Sequence, residues 1–388
     1  MSAVLEREEL TSDDIFGDVV QEKFSKIRQA CRAGMIERDG EIDCVLTALI
    51  ANEHVLLVGD PGLGKSMLAD AIVAAIDGNK FEVLCNKYTT PEEINGPVSI
   101  TAMRRDEYRR VTANKLPEAH VAFLDEIFKA SSAILNTVLK LLNERKFVNG
   151  PDIIDCPLQM CIAASNEWGD GEGGKELSAL FDRFLFRRQV HRIMDPRNVE
   201  RLLWSPSLNI KIPCMLTPIE VDKARSDAMS LPWSDAAKVA FQQVLSALRA
   251  EAITPGDRRL RKSVKATQAF AYLAGATQVL PDHLEILADV LWDDPATQMK
   301  EAAKIIGKVA NPAGLVVNQL LSEAQQVINK VNVKDMTEAT VAIKKLTELY
   351  KKADSLDGAK TPGTRACDAA THLKQQLTQL KIRMVEAV

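Results

Sequence analysis

An α/β protein with a five-stranded parallel sheet, followed by an all-helical region, is what this sequence of 388 residues predicts. Three observations predict it. Five short, largely apolar runs recur: VLLVG at 55–59, FEVLC at 81–85, VAFLD at 121–125, LQMCIAA at 158–164 and FLFRRQV at 184–190. Segments of helical period separate them. After Asp195-Pro196 the strand-like runs cease. Continuous apolar runs of this length mark strands buried on both faces, and their alternation with helices gives an open parallel sheet.

Taken in order, VVQEKFSKIRQACRAG at 19–34 carries apolar residues at helical spacing and ends near a glycine, and 40–53 repeats the pattern. VLLVG then stops at a glycine loop, and MLADAIVAAI at 67–76 is again helical, which makes the first half of a βαβ unit. SSAILNTVLKLLNE at 131–144 sets leucines and isoleucine on one helical face. Beyond the sheet, 218–230, 234–251, 258–274 and 281–292 read as four helices between proline-bearing loops. From 299 the chain reads as a small antiparallel bundle, with DGAKTPGT at 357–364 as the loop before its last helix. GDGEGGKE at 169–176 is the one low-complexity patch. The expected partition is a tail over 1–17, an α/β domain over 18–192, a helical domain over 193–298 and a bundle over 299–388.

Composition excludes several classes. The 49 basic and 53 acidic residues leave a net charge of −4, which disfavours bulk attraction to a polyanion. Aromatic residues make up only 5%, too few for platforms that stack single strands. The longest apolar runs fall well short of the roughly 18 residues a membrane helix needs. The opening MSAVLEREELTSDD is acidic rather than basic-then-apolar, so the expectation is a cytoplasmic protein. Seven cysteines, mostly within apolar segments, read as buried free thiols in a reducing compartment. Cys156 and Cys161 lack a second pair or a nearby histidine to complete a zinc site.

The chemistry lies at the ends of the strands. Gly59, Asp60, Pro61, Gly62, Leu63, Gly64, Lys65 and Ser66 spell GDPGLGKS between a strand and a helix, which is the phosphate-loop pattern in its required context. The glycines let main-chain N–H groups turn inward around phosphate oxygens, and the helix N-terminus adds its dipole. Lys65 would reach the β- and γ-phosphates of a nucleotide, the Ser66 hydroxyl would bind Mg²⁺, and Met67 follows on the same turn. Asp125 and Glu126 close the run VAFLDEI, at the carboxyl end of a strand where ligands of parallel sheets collect. Asp125 suits a metal contact through water. Glu126 suits polarising the water that attacks the γ-phosphate.

GDPGLGKS, FLDEI, AASNE at 163–167 and ALFDRF at 179–184 together resemble an AAA+ ATPase of the MoxR family. YTTPEEINGPVSI at 88–100, PEAHVAFLDEIFKASSAILNTVLKLLNERKFVNG at 117–150 and DRR at 257–259 are most similar to its RavA subgroup. The resemblance covers about residues 20–298. It implies a P-loop core, an α-helical lid over 193–298 and a helical C-terminal bundle. It also implies Asn166 as the sensor-1 residue that aligns the attacking water, and Arg183 as the arginine finger given to a neighbour's nucleotide, with Arg187 and Arg188 as alternatives. Arg258 would be the sensor-2 residue, with Arg259 the alternative, and Ile36-Glu37-Arg38 falls where the family contacts adenine. Residues 92–118 match the helix-2 insert and 146–155 the pre-sensor-1 hairpin, the latter with an Asn149-Gly150 turn signal.

Arg104, Arg105, Arg109 and Arg110 cluster in that insert. They read either as a solvated charged hairpin or as a contact for an acidic protein segment or nucleic acid. The implied whole is a hexameric homo-oligomer that hydrolyses ATP with Mg²⁺ and remodels a partner protein complex, with a von Willebrand factor A-domain protein as companion. A nucleic-acid motor is the alternative. The stretch 299–388 is too short and too helical for the small β-rich insert that RavA-type proteins carry, so a partner recruited by that insert is not implied.

Overall fold

In a computed structural model, residues 12–168, 181, 183–204, 210–311, 314–331, 336–356, 358–361 and 364–386 are described. The expected low-complexity patch at 169–176 lies outside them. The chain divides into two compact units, residues 1–230 and 231–388.

The first unit opens with α1 (Ser12–Gly34) and α2 (Asp39–Ala51), followed by β1 (Val55–Val58) and α3 (Lys65–Ala74). Helix α1 begins earlier than the apolar period alone indicates. β2 (Lys80–Leu84), the short α4 (Pro91–Asn95) and α5 (Ile100–Met103), and β3 (Val121–Asp125) come next, then α6 (Ser132–Glu144). A hairpin of β4 (Lys146–Asn149) and β5 (Asp152–Asp155) precedes β6 (Met160–Ser165) and β7 (Phe186–Gln189). After β7 come α7 (Pro196–Trp204) and α8 (Pro218–Ser230).

The five predicted strands form one parallel sheet in the order β2-β3-β6-β1-β7. β1 is buried along its whole length, as are the six residues of β6, which is why both read as uninterrupted apolar runs. One face of the sheet presents Leu56, Val58, Ala122, Leu124, Cys161 and Ala163 to a cluster completed by Ile134, Leu135, Val138 and Leu142 of α6. The i, i+4 spacing of those α6 residues is the signal the sequence carried. Helices α1, α2 and α8 pack on one another, with Lys23 of α1 paired to Glu220 of α8. Cys31, Cys44, Cys85, Cys156 and Cys161 are buried, and all seven cysteines are free thiols. Burial pushes the Cys31 thiol up to about 11 and the Cys85 thiol up to about 12.

The predicted insert packs on the hairpin. Val98 bridges Arg110 antiparallel, and the Asn149 amide clamps the Arg110 main chain: its Oδ1 accepts from the Arg110 N–H at 2.7 Å and its Nδ2 donates to the carbonyl at 3.1 Å. Gly150, at φ 64°, turns the hairpin with Tyr108 O only 2.4 Å from where a Cβ would stand. Arginine in this insert is partly neutralised. Arg109 pairs with Glu107 and Asp152, and Arg110 pairs with Glu92, while Arg104 and Arg105 are exposed.

The second unit holds α9 (Asp235–Ala250), α10 (Asp257–Leu273), α11 (Met299–Ala310), α12 (Gly314–Lys330), α13 (Met336–Asp354) and α14 (Arg365–Glu386). The segment expected as a helix over 281–292 is instead a 3-10 segment, Pro281–Asp289. Pro281 fixes its first turn, and the Leu280 N–H is taken by the ring of His283 at 2.9 Å, which tightens the chain to i→i+3 bonds such as Val290 N to Leu287 O at 3.0 Å. Helices α12–α14 share a core that includes Leu320, Leu346, Leu349, Leu373 and Leu380. No helix among the described residues is long and apolar enough to cross a membrane.

Candidate functional site

Register places the site. Val58 lies opposite Ser165 and Leu124 opposite Ala163, so the carboxyl ends of β1, β3 and β6 stand side by side at one edge of the sheet. Gly59 leaves β1 there, with its N–H donating to Ser165 O at 3.1 Å. A Cβ on Gly59 would come within 2.4 Å of Val190 O, so the loop needs glycine to pass that strand. Gly62 and Gly64 have φ of 81° and 82°, and Gly64 caps α3, which aims the first N–H groups of that helix into the loop.

Lys65 is 6% exposed. Its ammonium donates to Gly59 O, to Asp60 O at 3.0 Å and to Asn166 Oδ1 at 2.9 Å. Burial pushes its pKa down, and the carboxylates of Glu126, Asp125 and Asp60 oppose that without fully reversing it. Ser66 Oγ donates to Asp125 Oδ2 at 3.2 Å, and Asp125 Oδ1 accepts from the Glu126 N–H at 2.9 Å. Glu126 sits in the left-handed region at φ 53°, a costly conformation for a residue with a side chain, and it turns the carboxylate onto Asn166 Nδ2. Its other oxygen lies 3.3 Å from Lys129 Nζ. Lys65, Ser66, Asp125, Glu126 and Asn166 therefore form one connected network across three strand ends.

The donor set fits a hard cation. A hydroxyl and a carboxylate already in contact are oxygen ligands of the kind Mg²⁺ takes while keeping several waters. Beside them lies a cavity of about 310 Å³ flanked by Gly59, Asp60, Leu63, Asn166, Trp168 and Arg192. Met67 is 40% exposed on the first turn of α3. Asp70, one turn on, has its pKa raised by burial and by the Asp125 charge.

The candidate arginines differ in burial and contacts. Arg187 is 1% exposed on β7, with its guanidinium 4.3 Å from the centroid of the Phe181 ring. Such a side chain is not available to a second protomer. Arg183 is half-buried between Phe181, which packs on the sheet cluster, and the fully buried Phe184. Arg188 lies 3.8 Å from Glu41. In the second unit, Arg259 is buried, donating to Val290 O at 3.1 Å and lying 3.3 Å from Asp293, whereas Arg258 is exposed on the first turn of α10.

Sequence reasoning missed how the loop is supported. Arg38, 6% exposed, donates from Nε to Leu63 O at 3.1 Å and from Nη1 to Glu37 O at 2.7 Å. Glu37 accepts from the N–H groups of Met194 and Asp195 at 2.9 and 3.1 Å and from Asn198 Nδ2 at 2.8 Å. These two side chains are thus engaged with the main chain of the loop and with the start of α7. Asp60 pairs with Arg192, its Oδ2 3.0 Å from Nη2. No local sequence pattern announces these contacts.

A phosphate loop, acidic strand end and polar third strand end on a sheet of this order define an AAA+ P-loop protein. A profile for the MoxR domain in MoxR–vWA–β-propeller ternary systems matches residues 22–209, and one for an AAA lid domain matches 240–306. The chain belongs to the MoxR family of AAA+ ATPases. It is 36% identical over 337 residues to the uncharacterized protein MJ0812 of Methanocaldococcus jannaschii, covering 86% of this chain and 89% of that one. The chaperone MoxR1 of Mycobacterium tuberculosis is 25% identical over 157 residues, 40% of this chain and 41% of its own. A solved structure from Cytophaga hutchinsonii, described as a candidate ATPase, shares the fold with a TM-score of 0.60 at 15% identity, covering 77% of this chain and 96% of that one.

Proposed function

We propose that this protein is a Mg²⁺-dependent ATP hydrolase that assembles as a hexameric ring and remodels or matures a partner protein complex in the cytoplasm. The observation that carries the reading is the connected network of Lys65, Ser66, Asp125, Glu126 and Asn166. Main-chain N–H groups of Gly62–Ser66 would surround the phosphates, and Lys65 would exchange its carbonyl partners for phosphate oxygens. Ser66 and Asp125 would hold Mg²⁺, directly and through water respectively. When bound, the ion supplies neutralising charge to the β- and γ-phosphates.

Asn166, already bonded to Glu126, orients the attacking water, and Glu126 accepts its proton as the water oxygen bonds to the γ-phosphorus. The bond from that phosphorus to the bridging oxygen breaks, and ADP leaves. Arg183 of a neighbouring protomer stabilises the charge spread over the γ-phosphoryl oxygens, a contribution that can reach roughly 10³–10⁵ in rate. Arg258 is the sensor-2 residue in this reading, with 193–298 as the lid and 299–388 as a bundle outside the chemistry. A von Willebrand factor A-domain protein is the proposed companion, supported by the description of the matching MoxR domain. The RavA-like grouping rests on the insert motifs alone.

Pairing of Arg109 and Arg110 with acidic neighbours favours a protein partner over nucleic acid at the insert. The decisive test is Glu126→Gln. Turnover falls by about 10²-fold or more while ATP binding, read by equilibrium titration, is kept. Unchanged turnover would remove the assigned role, and stimulation of the wild-type rate by DNA with a steep salt dependence would favour the motor alternative.

A further inference from the structure

The Glu37–Arg38 pair touches two things that lie far apart in the chain. Arg38 is buried, yet both of its hydrogen bonds go to main-chain carbonyl oxygens, one of them Leu63 O inside the phosphate loop. A buried guanidinium spent on carbonyls fixes the position of the backbone it holds, because those oxygens have no rotamer freedom. Glu37, its neighbour, is held at φ 53° in a region that residues with side chains avoid unless the surroundings compel it. Its carboxylate grips the turn that opens α7 through three donors: the Met194 N–H, the Asp195 N–H and the Asn198 amide.

We infer that Glu37 and Arg38 act as a strut: Arg38 is a positioning residue that sets the phosphate loop at Leu63, and Glu37 transmits displacement of that loop to the start of α7. The helix at the far end has a reason to be moved. Leu202, Leu203 and Trp204 of α7 are 47%, 64% and 78% exposed, so a shift of α7 changes how an apolar surface is displayed. The device rests on the nucleotide reading above. It adds to that reading a residue pair that touches neither phosphate nor metal but ties the occupied loop to a surface helix. The link runs through a single dipeptide, Arg38 Nη1 closing onto Glu37 O, so the two ends are separable by mutation.

The experiment uses the full chain, with mant-ADP titration for affinity and hydrogen exchange across 194–204 with and without ADP. In the wild type, ADP changes exchange at the Met194 and Asp195 amides. Arg38→Ala weakens mant-ADP binding by about tenfold or more, and Arg38→Lys recovers part of the loss. Glu37→Gln leaves affinity within about threefold but makes exchange at 194 and 195 indifferent to ADP. Because Arg38→Ala removes a buried side chain, Glu37→Gln and Arg38→Lys carry the test if it does not fold. Wild-type affinity in Arg38→Ala or Arg38→Lys, or an undiminished ADP response in Glu37→Gln, overturns the strut alone. A wild-type chain that binds no mant-ADP overturns the nucleotide reading and the strut with it.

Discussion

Arg187 and Arg183 stand four residues apart, and burial assigns them different consequences. Arg187 lies under the surface with its guanidinium on the Phe181 face, so Arg187→Ala opens a void and removes a desolvated cation–π contact. A loss of about 2 kcal/mol or more of folding stability is expected, read as a lower denaturant midpoint. Arg183→Ala, at a half-buried position, leaves the midpoint within about 0.5 kcal/mol but lowers ATP turnover of the assembled protein by at least 10²-fold. If Arg183→Ala unfolds the chain while Arg187→Ala spares it and abolishes turnover, the two assignments are reversed. At this scale the sequence was legible wherever chemistry follows spacing. Lys65 and Ser66 sit at fixed offsets from Gly59, and Asp125 and Glu126 end an apolar run. It was silent where a side chain binds main chain. Arg38 meets Leu63 O, 25 residues away, and Glu37 meets Asp195 N, 158 residues away, and a carbonyl or N–H leaves no residue type to read.

Elements were read well where burial dictates composition. β1 and β6 are enclosed on both faces and therefore continuous in apolar residues, whereas the leucine and isoleucine spacing of the 3-10 segment at Pro281–Asp289 predicts a helix, because side-chain spacing does not reveal a tightened hydrogen-bond ladder. The insert shows how an irregular element is fixed by a few contacts. Gly96 stands at φ 89° with Val111 O only 1.8 Å from a would-be Cβ. Gly96→Ala therefore costs about 2 kcal/mol or more locally, and trypsin cleavage at the exposed Arg104 and Arg105 should accelerate while the phosphate loop is unaffected. Unaltered cleavage would show that the insert is not held there. The α7 clamp offers a second measurement. Burial pushes the Glu37 carboxyl up, but hydrogen bonds from Met194, Asn198 and Asp195 outweigh it, and the net pKa is below the ordinary 4.5. A carboxylate with a lowered folded pKa contributes stability that is complete above its unfolded value and is lost as pH falls through the folded one. The clamp is thus intact at neutral pH and released only below 4.5. A ¹³C titration of Glu37 should give a midpoint under that value, and Asn198→Ala should raise it. A midpoint at or above 4.5 in the wild type would contradict the clamp.

For the whole molecule, the proposed division of labour between protomers makes a quantitative demand. If each pocket takes Glu126 from one protomer and Arg183 from the next, a chain with Arg183→Ala and a chain with Glu126→Gln carry complementary defects. Each alone forms rings in which every pocket lacks one part. When the two are mixed in equal amounts and allowed to exchange subunits, half of the pockets have Glu126 and half of those face a neighbour with Arg183. About a quarter of wild-type turnover should return, whatever the number of protomers in a closed cyclic ring, because each pocket counts only one adjoining neighbour. The fraction falls if hydrolysis must pass in sequence around the ring, so a value well under a quarter, with recovery rising steeply as wild-type subunits are added, would identify coupled firing. The buried position of Arg187 makes the same experiment specific, since in a mixture of Arg187→Ala with Glu126→Gln the turnover is only that of the Arg187→Ala subunits' own pockets, about half of wild type where that variant folds, with no complementation between the two chains. No recovery from the Arg183 mixture, under conditions where gel filtration shows exchanged rings, would mean that pockets are complete within one chain.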